Sequence, residues 1–255
     1  MKVDMTVEDV TGRERDFSLW KNGFMYAKQH TNTITKTGDL ADNDKIVKEY
    51  YPEMEAWLKQ VTGAPRVHVF HHGVRISDSS HHVNGLKKSE LGKKFLPQAA
   101  VLAAHLDQSS WQATQVLHNH YPDETETLLH GRFMLVNAWR PIKTVYRHPF
   151  GVADASTVPA SDLVVRQNRW FKEIRESMGI RPNKGHKWYY KYKQEREDVL
   201  IFKQSDNHGR ARACPHTAFE DEEFKDAEPR ESIELRAILL WPEHESVEIE
   251  VEGKL

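Results

Sequence analysis

His105-Leu-Asp107 sets two metal-ligand types two positions apart, and a third candidate, His216, follows far along the chain. Two imidazoles and one carboxylate on one face of a metal form the 2-His-1-carboxylate triad, which leaves three coordination positions open. Three positions suffice for a two-point organic cosubstrate plus dioxygen, the requirement of an iron(II) oxygenase. His105-Leu-Asp107 is the one His-x-Asp in the chain, yet 15 histidines in 255 residues produce about one such pair by chance. The pair carries weight only with its context. Arg230-Glu-Ser232 begins 14 residues after His216 and opens an apolar segment. An arginine can form a two-pronged ion pair with the remote carboxylate of 2-oxoglutarate, and a serine two positions on shares its strand face and can add a hydrogen bond. Arg75-Ile-Ser77 and Arg175-Glu-Ser177 share the pattern but follow no histidine at a comparable distance. The expected set is therefore His105, Asp107 and His216 for Fe(II), and Arg230 and Ser232 for 2-oxoglutarate, with O2 as the second cosubstrate.

Elements must hold these residues. Ser110 is positioned to cap a helix reaching about His120, and Pro122-Asp-Glu124 opens another that ends at Gly131, a helix-terminating glycine. From Arg132 the pattern turns to β: Arg132–Trp139, Lys187–Tyr192, Asp198–Lys203 and Ser232–Trp241 read as strands, as does Arg66–His72 earlier. Short strands separated by loops indicate a sandwich or barrel. Ser246–Glu252 alternates strictly, as a half-solvated strand would. Residues 151–186 have weak periodicity and receive no assignment. Near the start, Ile46, Tyr50, Met54, Trp57 and Val61 recur at helical spacing, so Lys45–Val61 reads as an amphipathic helix. The expected organisation is one catalytic domain, 1–255, with 1–62 as an N-terminal cap or accessory region and 63–255 as the core with inserts. The N-terminal helix and the stretch from Gly151 to Gly185 are expected to cover the pocket.

Composition narrows the partners. Charged residues make up 29% and the formal net charge is -2, so nothing points to nucleic acid or an anionic membrane. A small-molecule substrate fits better. The single cysteine, Cys214, rules out an internal disulfide and suits a reducing compartment. There is no apolar run for a signal peptide or membrane span, so the expectation is a soluble, cytoplasmic protein; oligomeric state is not readable.

Several motifs, in order, resemble a known family: His105-Leu-Asp-Gln-Ser109, Leu128-Leu-His-Gly-Arg-Phe133, Asn137-Ala-Trp-Arg-Pro-Ile142, Pro215-His-Thr-Ala-Phe219 and Pro229-Arg-Glu-Ser-Ile-Glu234. They are similar to fungal and bacterial non-haem iron oxygenases that include the aspergillic acid hydroxylase/desaturase, the fungal gibberellin desaturase and a cephamycin methoxylation protein. The similarity runs from about Val10 to about Leu240. It implies a mainly β fold with helical decorations around a double-stranded β-helix (jelly-roll, cupin-like) core, with His105, Asp107 and His216 as iron ligands and Arg230 as the cosubstrate arginine. The implied activity is iron(II)- and 2-oxoglutarate-dependent oxidation of an unactivated C–H bond, by hydroxylation, desaturation or cyclisation, of a small secondary-metabolic substrate. Cys214, where a residue such as Thr is expected, and the segment Arg166–Gly185 depart from the pattern. Asn137, Trp139 and Arg140 are candidate pocket residues, although a core tryptophan and a structural arginine fit equally well; Trp188, Tyr189 and Tyr190 read the same way. His68, His71, His72, His81 and His82 share no ligand spacing with a carboxylate or cysteine and read as solvated or packed imidazoles. Two alternatives stay open: an iron oxidase of the same fold that needs no 2-oxoglutarate, with Arg230 binding a substrate carboxylate, and a non-catalytic partner of another oxygenase.

Overall fold

Period-two alternation in the long apolar segments sorts side chains onto two faces, and burying both faces gives a layered β structure. The computed structural model describes residues 4–76, 82–83, 86–87, 99–170, 173–209 and 213–242. The expected strand Ser246–Glu252 and His81 lie outside these residues. In chain order the strands are β1 (Val7–Asp9), β2 (Phe24–Lys28), β3 (Arg66–Ile76), β4 (His82–Val83), β5 (Leu86–Lys87), β6 (His105–Leu106), β7 (Arg132–Pro141), β8 (Phe150–Ala153), β9 (Leu163–Trp170), β10 (Glu173–Ile180), β11 (Trp188–Tyr190), β12 (Asp198–Asp206), β13 (His216–Ala218) and β14 (Glu231–Trp241). The α-helices are α1 (Asn43–Lys45), α2 (Tyr51–Thr62), α3 (Ser110–His120) and α4 (Thr125–His130). A seven-stranded sheet runs β1-β11-β8-β13-β6-β10-β9 and a five-stranded sheet β2-β12-β7-β14-β3. The two sheets face each other as a jelly roll, the fold expected.

β14 shows how the layers form. Ile233, Leu235, Ala237 and Leu239 point outward into a core completed by Ile46, Tyr50, Met54 and Leu58 of the N-terminal helical segment. Ser232, Glu234 and Arg236 alternate with them and point the other way, towards the seven-stranded sheet. On that inner face, Trp139, Leu200 and Phe202 pack against Phe150 and Val152 of β8, while Phe133, Leu135, Ile238 and Leu240 pack against Ala113 and Leu117 of α3. Polar residues occupy the interval between these two apolar groups.

Residues 1–62, expected as a cap or accessory region, also supply a strand to each sheet: β1 joins the seven-stranded one and β2 the five-stranded one. α2 packs on the outer face of the five-stranded sheet and not between the sheets; Leu58 completes its buried stripe, and Trp57 and Val61 flank it. Residues 163–180, left without assignment, form the antiparallel hairpin β9–β10, and β10 pairs with β6 through Met178↔Leu106 and Gly179↔His105. This hairpin buttresses the strand carrying His105. Gly131 ends α4 but with extended φ -82°, not in a left-handed cap. The need for glycine is steric: a Cβ there would lie 2.8 Å from the Trp241 carbonyl oxygen.

The cap of α3 is Ser109, one residue earlier than expected. Its hydroxyl oxygen accepts from the Gln112 N–H at 3.1 Å and donates to Glu176 of β10 at 2.6 Å. Ser109→Ala removes both bonds. N-cap losses cost about 1 kcal/mol, so the variant's thermal midpoint is expected to fall by roughly 2–4 °C. A midpoint equal to wild type in calorimetry would show that the cap contributes nothing.

Candidate metal centre

β6 and β13 are sheet neighbours, and their register sets His105 opposite His216. Opposed residues of an antiparallel pair send their side chains to the same face, so the two imidazoles meet with centroids 4.4 Å apart. Asp107, two positions beyond His105, returns to that face, with Oδ1 3.5 Å from His105 Nε2. One ligand atom from each of the three residues lies within 4.8 Å of the others, and no other such cluster occurs among the described residues. The geometry brings together the residues that the spacing singled out.

Carbonyl partners set the ring orientations. His105 Nδ1 donates to Ala103 O at 2.8 Å and His216 Nδ1 donates to Cys214 O at 3.4 Å. Each Nε2 therefore keeps its lone pair for a metal. Burial, then the neighbouring His105, pushes His216 down to about 3, so it stays neutral. Burial opposes protonation of His105 as well, but the Asp107 carboxylate outweighs it and raises that ring. For Asp107 itself, burial favours the neutral acid, yet Arg236 and the imidazoles prevail and hold the carboxyl well below its ordinary range. Two imidazoles and an ionised carboxylate are the donor set that suits iron(II), with His105 giving up any proton as the metal binds.

Arg230 directly precedes β14 and is 3% exposed. One Nη donates to His148 O at 2.6 Å, and the guanidinium stands over the rings of Trp139 and Phe150 at 5.3 and 5.8 Å. Its Nε and the Ser232 hydroxyl are buried without a hydrogen-bond partner. Burial, then Arg75, pushes Arg230 down to about 9, which leaves it cationic at neutral pH. Orphaned buried donors beside a desolvated cation are costly unless an anion completes them, so these residues fit a carboxylate of 2-oxoglutarate. One cavity is lined by His105, His216, Phe150, Arg230 and Glu234 together, which sets the Arg230 guanidinium beside the two imidazoles of the cluster.

The three candidate pocket residues separate. Asn137 Nδ2 donates to Asp107 Oδ2 at 2.8 Å. Trp139 stacks on Phe150 with centroids 4.8 Å apart. Arg140 takes the structural alternative: adjacent strand residues face opposite ways, and its guanidinium points outward to Tyr50 Oη at 2.7 Å, Gln29 O at 3.1 Å, Arg196 O at 2.8 Å and the Gln29 side chain. It fastens the helical segment to the sheet. Tyr189 is part of the inner apolar core, as is Cys214, whose thiol donates to Ala153 O at 3.0 Å. His68 meets His120 at 3.3 Å and His72 meets the Tyr51 hydroxyl at 2.8 Å, both outside the centre.

A family described as "Oxidoreductase/YMDC permease-like domain" matches residues 1–240. The alpha-ketoglutarate-dependent dioxygenase phiK of a fungal species is 34% identical, over 90% of this chain and 81% of its own length. The hydroxylase/desaturase efuI of Hormonema carpetanum is 32% identical, over 94% of this chain and 84% of its own. The chain belongs to this family, of non-haem iron, 2-oxoglutarate dioxygenase-like type. The jelly roll of this dioxygenase-like chain is also that of the iron and alpha-ketoglutarate-dependent endoperoxidase NvfI, with a TM-score of 0.80, 24% identity and coverage of 92% of this chain and 84% of that one. No helix among the described residues is long and apolar enough to cross a membrane.

Sequence reasoning missed Gln204, Glu234 and Arg236 of the dioxygenase-like site. Arg236 Nη2 lies 3.0 Å from Asp107 Oδ2, and the Asp107 N–H donates to Gln204 Oε1 at 2.9 Å. For β14 the signal was present, since Arg230, Ser232, Glu234 and Arg236 recur at every second position. For Gln204 it was not, because its direction depends on a bulge between Lys203 and Ser205.

Proposed function

We propose that this protein is an iron(II)- and 2-oxoglutarate-dependent dioxygenase that oxidises an unactivated C–H bond of a small secondary-metabolic molecule, by hydroxylation, desaturation or cyclisation. His105, Asp107 and His216 would hold the iron, and Arg230 with Ser232 would anchor the remote carboxylate of 2-oxoglutarate. Iron, bound with 2-oxoglutarate and O2, would supply the oxidising chemistry. The chain's own residues would orient three ligands to one side, neutralise the cosubstrate carboxylate and wall the cavity with Phe150, which Trp139 backs. One observation carries the reading: of three convergent ligand residues, His105 and His216 line a cavity with Arg230, whose buried Nε and neighbouring Ser232 hydroxyl lack partners. The proposal places a single catalytic domain in the cytoplasm, acting on a small molecule and not on nucleic acid or membrane.

The test reconstitutes the protein with Fe(II) in the absence of oxygen, then follows oxygen uptake and succinate with and without 2-oxoglutarate. Succinate is expected to match oxygen consumed, with uptake at background level when 2-oxoglutarate is omitted. Uptake that proceeds equally without 2-oxoglutarate would assign Arg230 to a substrate carboxylate and the protein to the oxidase class.

A further inference from the structure

Asp107 is held from the opposite sheet. β12, β7 and β14 are adjacent in the five-stranded sheet, and register places Phe202 opposite Asn137 and Asn137 opposite Arg236. Asn137 and Arg236 therefore stand side by side on the inner face, and both reach one atom: Asn137 Nδ2 lies 2.8 Å and Arg236 Nη2 3.0 Å from Asp107 Oδ2. Two residues beyond Phe202, the bulge places Gln204 between Lys203 and Ser205. Bulges beside active sites re-aim a side chain; here the Gln204 carbonyl oxygen takes the Asp107 backbone N–H at 2.9 Å. Oδ1, the oxygen facing His105 Nε2, is left for a ligand bond.

We infer that Asn137 and Arg236 are positioning residues that restrict Asp107 to one-oxygen ligation of the metal, with Gln204 fixing its backbone. The inference rests on the triad assigned above. A carboxylate free to turn can bind through both oxygens and take a further coordination position. Here a charged and a neutral donor occupy Oδ2, so the second oxygen is already committed and three positions remain for cosubstrate and oxygen. The arrangement also ties the cosubstrate anchor to the metal, because Arg230, Ser232, Glu234 and Arg236 share one strand face. Glu234 Oε1, 3.7 Å from Arg236 Nε, adds a second carboxylate that steadies the guanidinium.

The test titrates Co(II), a spectroscopic stand-in for iron, into the purified full-length chain without oxygen. Wild type is compared with Arg236→Gln, Arg236→Lys, Asn137→Ala and Asp107→Ala. Removal of outer partners of metal ligands weakens metal binding by roughly 10- to 100-fold, and that loss is expected for both Arg236→Gln and Asn137→Ala. Their visible cobalt spectrum should also shift, because a second carboxylate oxygen would replace a water on the metal. Arg236→Lys restores the charge but not the fork and should fall between. If Arg236→Gln fails to fold, Asn137→Ala decides alone, because it touches the same oxygen. A clasp that merely joined the sheets would lower the melting temperature of the metal-free variants while leaving cobalt affinity and spectrum at wild-type values; that outcome overturns the inference. Wild-type cobalt binding by Asp107→Ala would instead overturn the triad.

Discussion

Arg230→Ala raises the 2-oxoglutarate concentration for half-maximal turnover by roughly 30- to 5000-fold, the equivalent of about 2–5 kcal/mol for losing one partner of a buried charge pair, while iron content stays near that of wild type. The range follows from burial. Arg230 is 3% exposed, so water replaces its bond to the cosubstrate poorly, and its Nε has no other partner to fall back on. The bond to His148 O and the rings of Trp139 and Phe150 fix the guanidinium before any ligand arrives, which confines the loss to cosubstrate binding. Arg230→Lys keeps the charge but offers no planar fork, so its defect is smaller and still clear. The measurement is succinate formed across a range of 2-oxoglutarate for wild type and both variants, with iron content and calorimetry alongside. An unchanged 2-oxoglutarate requirement in Arg230→Ala would remove the residue from the cosubstrate site. Ser232→Ala is expected to shift the same parameter by less, because it removes one neutral hydrogen bond.

Asp107→Ala and His216→Ala each lose the iron that wild type retains at one per chain. Each variant keeps two of three ligands, and His105 and His216 lie on short paired strands whose carbonyl bonds hold them in place, so the polypeptide survives while the centre is incomplete. Iron analysis after gel filtration provides the measurement. Retention of one iron per chain with wild-type affinity by both variants would sink the assignment. The wild-type centre should also lose iron below about pH 6, since imidazoles must be neutral to ligate. The sign differs between the two rings. Asp107 raises His105, so a falling pH delivers the competing proton there first. Burial keeps His216 neutral to about 3, which leaves it able to ligate throughout that range.

Much of the centre was legible because its chemistry is local. His105 and Asp107 share a face by their two-residue spacing, and so do Arg230 and Ser232. The hairpin β9–β10 was not legible, because Val164, Val165 and Ile174 are themselves exposed and the strands bury no continuous face that would impose alternation. The role of Arg140 stayed open between pocket and structural arginine for a related reason. Its neighbour Trp139 does meet Arg230, but a strand turns successive side chains to opposite faces, and sequence alone did not say which face was inner.

By itself, the sequence determined residue chemistry and period: a mainly β chain, a helix with a buried stripe, a candidate triad and an arginine–serine pair on one strand face. Tertiary structure decided what each face met. It set the N-terminal helix on the outer side of the five-stranded sheet, aimed Gln204 through a bulge, and brought Asn137 and Arg236 from two different strands onto one oxygen of Asp107. Alternation along a strand specifies two faces, but the neighbours of each face come from register and sheet order, and these arise from contacts between residues far apart in the chain.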